Sequence, residues 1–165
     1  MQNMNFLVVI PKFTSSPGQD YIFPVGIAYI TAALKRAGFN VRGIDLNHFT
    51  EPPQEVLAQA IKEHSIDVIA TGTISAHFDK VKAVLEAARQ TKPRIITIVG
   101  GGVISSEPVA MMDTLKPHFG VLGEGEQTMV ELARELSSTR KYSEVSGLIY
   151  REYLPSRCYR FGHEL

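Results

Sequence analysis

Short apolar runs alternate with amphipathic stretches along most of this chain, and no other feature constrains the fold as strongly. The runs predict five buried strands, at Phe6–Ile10, Val41–Leu46, Asp67–Thr73, Ile95–Val99 and Phe119–Leu122. Apolar residues at helical spacing predict a helix after each strand, over about 24–38, 52–64, 77–90, 109–115 and 127–137. Short connections between successive strands and helices are typical of an α/β protein with a parallel sheet.

The predicted fold is a doubly wound parallel sheet of five strands in the order 2-1-3-4-5, a flavodoxin-like (Rossmann-like) arrangement. A short additional strand is predicted at 147–150. We expect residues 1–150 to form one domain, because a chain of 165 residues is long enough for a single full-sized core. Residues 151–165 lose the periodicity and are interpreted as an aperiodic tail or a truncated linker.

The composition argues against several classes of partner. Lys and Arg together number 17, as do Asp and Glu, so the net charge gives no attraction to nucleic acid or to an anionic membrane. No apolar run approaches the roughly 20 residues that cross a bilayer, and the first residues lack the pattern of a signal peptide. The single cysteine, Cys158, cannot form an internal disulfide. We therefore expect a cytoplasmic protein that binds neither nucleic acid nor membrane.

Small residues gather where two predicted strands end. Gly100, Gly101 and Gly102 follow the fourth strand, and Thr73 and Ser75 follow the third. Parallel strands end at one edge of a sheet, and ligands bind at that edge in open α/β folds. Glycines let a bulky ligand approach the backbone, while hydroxyls supply hydrogen bonds. The alternative interpretation of the glycines is a tight turn between a strand and a helix.

Two further groups are predicted at the same edge. The segment Gly123-Glu124-Gly125-Glu126 starts the last helix, where its carboxylates either contact a ligand or interact with the helix dipole. Tyr21, Phe23 and Pro24 lie where the first helix begins. These rings either stack on a planar ligand or form a hydrophobic staple that anchors the helix.

No motif indicates catalysis. The chain lacks a P-loop, a Gly-x-Gly-x-x-Gly fingerprint, the acidic residues of a phospho-receiver and any Cys/His cluster with metal-ligand spacing. We therefore assign no catalytic and no metal-binding residue. His48 and His77 follow the second and third strands at the ligand edge, but solvated loop histidines are common, and neither is predicted to bind a metal.

Taken in order, the segments resemble the N-terminal cobalamin-binding domain of cobalamin-dependent radical SAM proteins, over about residues 5–150. The matching segments are Tyr21-x-Phe-Pro-x-Gly-Ile-Ala-Tyr-Ile-x-x-x-Leu-Lys-x-x-Gly38, Val41-x-x-x-Asp-Leu46, Gly72-Thr-x-Ser75, Gly100-Gly-Gly, Ser106-Glu-Pro108, Gly123-Glu-Gly-Glu-x-Thr128 and Gly147-Leu-Ile-Tyr150. In that family the domain is flavodoxin-like and binds cobalamin (vitamin B12), a cobalt cofactor, at the carboxyl edge of its sheet.

The resemblance implies cobalamin as the cofactor and gives the small residues at the edge their roles. The residues expected to meet the nucleotide tail are Thr73, Ser75, Gly100, Gly101 and Gly102. The residues expected to border the corrin ring or its amide arms are Gly123, Glu124, Gly125, Glu126, Tyr21, Phe23 and Pro24.

Two departures from the family bear on function. The loop after the first strand, Lys12–Ser16, contains no Asp-x-His-x-x-Gly, so we predict that cobalamin is held base-off with no protein histidine on cobalt. One cysteine cannot supply the Cys-x-x-x-Cys-x-x-Cys motif that holds a [4Fe–4S] cluster. That cluster and S-adenosylmethionine are expected only in a longer methyltransferase-like or cyclase-like parent protein, with a radical SAM barrel as partner, and the chain alone is not expected to be catalytic.

Two alternatives stay open at this point. The same edge could hold a flavin or a sugar nucleotide in a complete flavodoxin-like protein. A domain whose cofactor site has decayed could instead serve only for interaction with other proteins.

Overall fold

A computed structural model describes residues 4–152 and 158–162, which form a flavodoxin-like α/β sheet flanked by helices. The strands are β1 Asn5–Ile10, β2 Asn40–Asp45, β3 Val68–Gly72, β4 Ile96–Gly100, β5 Phe119–Val121, β6 Leu148–Glu152 and β7 Cys158–Phe161. The helices are α1 Val25–Arg36, α2 Pro53–Glu63, α3 Phe78–Thr91, α4 Gly102–Ser105, α5 Pro108–Leu115 and α6 Glu126–Leu136. Short 3-10 helices occur at Leu46–His48, Ser75–His77 and Tyr142–Glu144.

The sheet order is β2-β1-β3-β4-β5-β6-β7. Strands β1 to β5 are parallel, which confirms the predicted order 2-1-3-4-5. Their carboxyl ends therefore share one edge, as the right-handed crossover rule requires. Among the described residues no helix is long and apolar enough to cross a membrane.

Alternate residues of each strand pack on opposite faces of the sheet. Phe6 and Val8 of β1 join a core cluster that also contains Leu34 of α1 and Leu132 of α6. Their neighbours in the strand pack instead against α2 and α3, on the other face. Both faces of β1 are thus covered, which explains why its sequence is continuously apolar rather than alternating.

Within the described residues the sheet has seven strands, two more than the five parallel strands predicted. Strand β6 corresponds to the short strand predicted at 147–150, and it pairs antiparallel with β5. Strand β7 lies in the segment interpreted as an aperiodic tail and pairs antiparallel with β6, with Arg151 opposite Tyr159. Its four residues are too few for a periodic signal, and their pairing with β6 defines the strand. The domain boundary after residue 150 stays a prediction, and His163 lies outside the described residues.

Candidate functional site

The ends of β3 and β4 meet in a backbone contact that excludes side chains. Gly72 pairs with Gly100, and a Cβ atom on Gly72 would lie 2.3 Å from the Gly100 carbonyl oxygen. Gly101 has φ +79°, and a Cβ atom there would lie 3.1 Å from the carbonyl oxygen of Thr73. That carbonyl accepts a hydrogen bond of 2.8 Å from the Val103 amide. The glycines therefore allow the two strand ends to approach each other closely, and they also form a turn.

Serine hydroxyls connect three loops at this edge. The Ser75 hydroxyl donates to the Gly102 carbonyl oxygen at 3.1 Å and lies 2.7 Å from the Ser106 hydroxyl. The Gly123 amide donates to the Ser105 hydroxyl at 3.1 Å. The loops after β3, β4 and β5 are thus held together before any ligand is bound.

A cavity of about 680 Å³ opens at this edge and continues between α1 and α6 along one face of the sheet. Its floor consists of buried apolar residues of the strands, among them Val8, Ala70 and Ile98. Ile30 of α1 and Met129 of α6 form parts of its walls. A cavity of this size with an apolar floor and a polar rim is typical of a site for an organic ligand or cofactor.

Most residues predicted for the site line this cavity. The structure brings together Tyr21, Pro24, Thr73, Gly100, Gly101, Gly102, Gly123, Glu124, Gly125 and Glu126. Ser75 and Phe23 do not line it. The Ser75 hydroxyl is engaged with the loop of Gly102, and the Phe23 side chain, 45% exposed, lies outside the cavity.

Residues 11–24, which we call the mouth loop, connect β1 to α1 and supply Phe13, Tyr21 and Ile22 to the cavity lining. Buried Asn47 fixes the first part of this loop. Its side-chain oxygen accepts the Phe13 amide at 2.7 Å and the Thr14 amide at 3.1 Å, and its side-chain nitrogen donates to the Pro11 carbonyl at 3.0 Å.

The later part of the mouth loop is held through the Tyr21 side chain, whose hydroxyl donates to a carboxylate oxygen of Asp45. The other carboxylate oxygen accepts the amide of Asn47 at 3.0 Å, and His48 lies 3.4 Å from the first. Burial and the bond to Asp45 raise the pKa of Tyr21 to about 12. Partial burial alone would raise the pKa of Asp45, but hydrogen bonds from Tyr21 and Asn47 outweigh it and keep that pKa below its usual value.

The profile of the B12 binding domain matches residues 15–133. The chain belongs to the B12 binding domain family. This match confirms the predicted resemblance to a cobalamin-binding domain and includes the cavity residues from Tyr21 to Met129.

Relatives of this B12 binding domain include methyltransferases. The chain is 26% identical over 147 residues to cytidylyl-2-hydroxyethylphosphonate methyltransferase of Streptomyces wedmorensis, covering 79% of this chain and 28% of that protein. It is 30% identical over 158 residues to an uncharacterised methyltransferase of Pyrococcus horikoshii, covering 92% of this chain and 34% of that protein. The chain therefore spans about a third or less of the length of these relatives.

A solved structure shares the fold of this B12 binding domain. It is the radical S-adenosylmethionine methyltransferase TsrM from Kitasatospora setae with cobalamin and a [4Fe–4S] cluster bound. The TM-score is 0.79 and the identity 23%, with 93% of this chain and 28% of the TsrM chain covered.

Cobalamin is the cofactor of this family, and the residues of the site fit it. A Cβ atom on Gly72 or Gly101 would lie within 3.1 Å of a neighbouring backbone carbonyl, and Gly100 and Gly102 also carry no side chain, so the rim is free of bulky groups there. Gly123 has φ +66° and open space within 4 Å of a Cβ position, which leaves room beside the start of α6. The apolar floor suits the flat, buried part of a large organic cofactor.

The histidines occupy different places. His77 lines the cavity, with its ring centroid 5.2 Å from that of Phe13. The His48 side chain is 69% exposed and faces Asp45. His64 is the C-cap residue that follows α2, and His118 lies at the opposite edge, where its Nδ1 accepts the Thr97 amide at 3.1 Å.

Neither glutamate of the predicted site forms a side-chain cap. Glu126 lies in the first turn of α6, where its charge interacts favourably with the helix dipole, and Gly125 is the N-cap residue. Glu124 precedes the helix, and both carboxylates line the cavity. No group of three or more His, Cys, Asp or Glu within residues 4–152 and 158–162 could hold a metal ion.

Sequence reasoning missed Phe13, Asp45 and Asn47 as parts of the site. Asp45 lies within one of the matching segments, but nothing in the pattern indicates a bond to Tyr21. Asn47 is buried and polar, and its role depends on contacts 33 to 36 residues away in the chain. Such contacts leave no periodic signal in a sequence.

Proposed function

We propose that this chain is the cobalamin-binding module of a radical SAM enzyme, methyltransferase-like or cyclase-like, and that it holds cobalamin base-off without a protein histidine on cobalt. The observation that carries the proposal is the cavity between α1 and α6, which opens beside the glycines at the carboxyl edge of the sheet. Family membership favours cobalamin over a flavin, over a sugar nucleotide and over a domain without a cofactor.

The tail of the cofactor would enter the cavity along the apolar face of the sheet. Thr73 and the segment Gly100–Gly102 would face its phosphate and ribose oxygens, which accept hydrogen bonds from hydroxyls and backbone amides. Ser75 would act indirectly, because its hydroxyl holds the Gly102 carbonyl. The nucleotide base would lie over buried residues such as Ala70 and Ile98.

The corrin ring would lie over the cavity mouth. The segment Gly123–Glu126 would border its amide arms, since carboxylates accept hydrogen bonds from amide groups. Tyr21 and Pro24 would contact the ring from the side of the mouth loop. Phe23, which lies outside the cavity, would contribute at most to the outer rim.

Two observations support base-off binding without histidine on cobalt. The mouth loop contains no histidine between residues 11 and 24. The one histidine among the cavity-lining residues, His77, packs its ring against Phe13. A ring held in this way is less free to turn towards a metal above the mouth.

The radical SAM chemistry would belong to another part of the enzyme. The sequence has a single cysteine and so cannot ligate a [4Fe–4S] cluster. The relatives are several times longer than the matched region, which leaves room for a radical SAM barrel as the partner domain. In such an enzyme the cobalt of cobalamin would carry a methyl group. The role of this chain would be to bind, orient and shield the cofactor.

The test is to titrate hydroxocobalamin into the purified chain, remove the excess by gel filtration and record the absorption spectrum. Stoichiometric co-elution is expected, and a chain that elutes colourless contradicts the proposal. The bound cofactor is then reduced to Co(II) for electron paramagnetic resonance. We expect no nitrogen splitting from a protein imidazole, and the His77→Ala variant should give the same spectrum. A splitting that disappears in His77→Ala would show that histidine is the lower ligand.

A further inference from the structure

The mouth loop is attached at two places of unequal strength. At residues 11–14, Asn47 makes three hydrogen bonds to backbone groups and is itself buried. The Lys12 ammonium adds a bond of 2.7 Å to the Phe49 carbonyl. At the other end, the Tyr21 hydroxyl donates a hydrogen bond to Asp45. The centroid of the Tyr21 ring also lies 6.3 Å from that of Phe13 and 6.4 Å from that of His48.

The part of the mouth loop between these attachments is free of the protein body. Residues 15–20 are exposed, and their polar contacts are internal, from the amides of Ser15 and Ser16 to the side-chain oxygen of Gln19. Beyond Tyr21, Ile22 lines the cavity although its residue is 94% exposed. Ile22 thus lies at the cavity mouth between Tyr21, which bonds to Asp45, and Pro24, whose carbonyl accepts an amide of α1.

We propose that Asp45 is a positioning residue that latches the mouth loop through Tyr21, so that this bond opens for a bulky ligand to enter and closes again behind it. The inference rests on the proposed function, because it takes cobalamin as the ligand. It goes beyond that function in assigning a gate, with its hinge at Phe13 and Thr14 and its latch at Tyr21 and Asp45.

The two attachments differ in what opening would cost. Releasing residues 11–14 would leave the buried side-chain oxygen of Asn47 without the amides of Phe13 and Thr14, which is expensive. Releasing Tyr21 would expose a phenol and a carboxylate that water can solvate at once. Opening of the loop is therefore expected at Tyr21, while the Asn47 end stays in place.

The latch makes a kinetic prediction that distinguishes it from a simple contact. Removing the latch with Tyr21→Phe keeps the ring but lets the loop open more often. The association and dissociation rate constants of hydroxocobalamin should then rise together, each roughly tenfold, as expected for loss of one charge-assisted hydrogen bond. Because the two rates change in the same direction, the equilibrium dissociation constant should change by a smaller factor than either rate. Tyr29→Phe, on the exposed side of α1, is the matched control and should leave both rates unchanged.

A double-mutant cycle with Asp45→Asn tests whether the two side chains act together. Asp45→Asn should raise both rates by a smaller factor, because its amide oxygen still accepts the phenol. In the Tyr21→Phe background the same change should add almost nothing. A rise in the dissociation rate alone would make Tyr21 a ligand contact and overturn the latch, and additive effects would overturn the pairing.

A second measurement needs no ligand and so separates the latch from the proposed function. Chymotrypsin under native conditions cleaves a loop in proportion to how often it opens. Chymotrypsin accepts both Tyr and Phe before the cleaved bond, whereas the Phe23–Pro24 bond resists it. Mass spectrometry should show cleavage after residue 21 roughly ten times faster in Tyr21→Phe than in the wild type or in Tyr29→Phe. Equal cleavage rates would overturn the latch even if cobalamin binds. Failure of the wild type to bind cobalamin, with faster cleavage of the variant, would instead contradict the proposed function alone.

Discussion

The amide of Val103 donates a hydrogen bond of 2.8 Å to the carbonyl oxygen of Thr73. This bond joins the start of α4 to the loop after β3 and brings the backbone at Gly101 against the same carbonyl. The two segments predicted to meet one cofactor are therefore neighbours at one edge, as the proposed site requires.

Gly101→Val is expected to abolish retention of cobalamin on gel filtration while the chain stays folded. A side chain at this position would press on the Thr73 carbonyl and project at the cavity rim. Gly18→Val is the matched control, because Gly18 also has a positive φ, +85°, but has open space around its Cβ position and does not line the cavity. Both variants should lose about 1–3 kcal/mol of stability from backbone strain. Equal retention in the two variants would remove the glycine stretch from the site.

Gly72→Ala is expected to destabilise the sheet itself. Its Cβ atom would lie 2.3 Å from the carbonyl oxygen of Gly100, and backbone on the neighbouring strand cannot move away as a side chain can. We expect the free energy of unfolding in urea to fall by about 3 kcal/mol, at the upper end of overpacking costs. Gly43→Ala in β2 has open space around the new methyl group and should be nearly neutral. A neutral Gly72→Ala would show that the two strand ends are further apart than described.

Asn47→Ala should cost about 2–4 kcal/mol in the free energy of unfolding, because the amides of Phe13 and Thr14 and the carbonyl of Pro11 lose their partner. Asn40→Ala is the control, since the Asn40 side chain is exposed and bonds only to Asn5. Urea unfolding of both variants gives the comparison. If Asn47→Ala costs no more than Asn40→Ala, the mouth loop is not anchored as described.

Stability should fall on mild acidification because of His118. Burial, and then the charge of Arg89, lower the pKa of His118 below its ordinary value of 6.5. The neutral ring is thus favoured in the folded state, and its contribution to stability is fully present above about pH 6.5. That contribution is lost as the pH falls from there through the lower pKa of the folded state.

The measurement is the free energy of unfolding at about pH 7.5 and at about pH 5, in the wild type and in His118→Asn. The variant should show a smaller loss between the two pH values. An unchanged slope in His118→Asn would contradict a buried neutral ring.

The alternation of apolar runs and amphipathic stretches was enough to predict the five parallel strands and their order, because each of these strands is an apolar run that can be recognised in the local sequence. Strand β7 escaped prediction, since it is defined by pairing with β6 rather than by its own residues. The stretch after Gly101 was predicted as a loop, yet Gly102–Ser105 forms a short helix whose first amides bond to the loop after β3 and to Gly101. Such bonds depend on neighbours in space.

The candidate site was likewise predicted only where a local sequence pattern or the topology indicated it. The glycines and residues 123–126 were predicted as parts of the site because the parallel topology places the ends of the strands at one edge of the sheet. Ser75 was expected to face the ligand, but its hydroxyl bonds to Gly102. The pairing of Tyr21 with Asp45 joins a residue of the mouth loop to the last residue of β2, and no local pattern encodes it.

The hydrogen bonds that Asn47 makes to residues much earlier in the chain have a consequence for biosynthesis. Its bonds to Pro11, Phe13 and Thr14 connect it to residues that leave the ribosome well before it does. A nascent chain that ends at residue 45 already contains the first two strands and the first helix, yet it lacks the side chain that anchors residues 11–14. The first part of the entrance can therefore take its final shape only after residue 47 has left the ribosome.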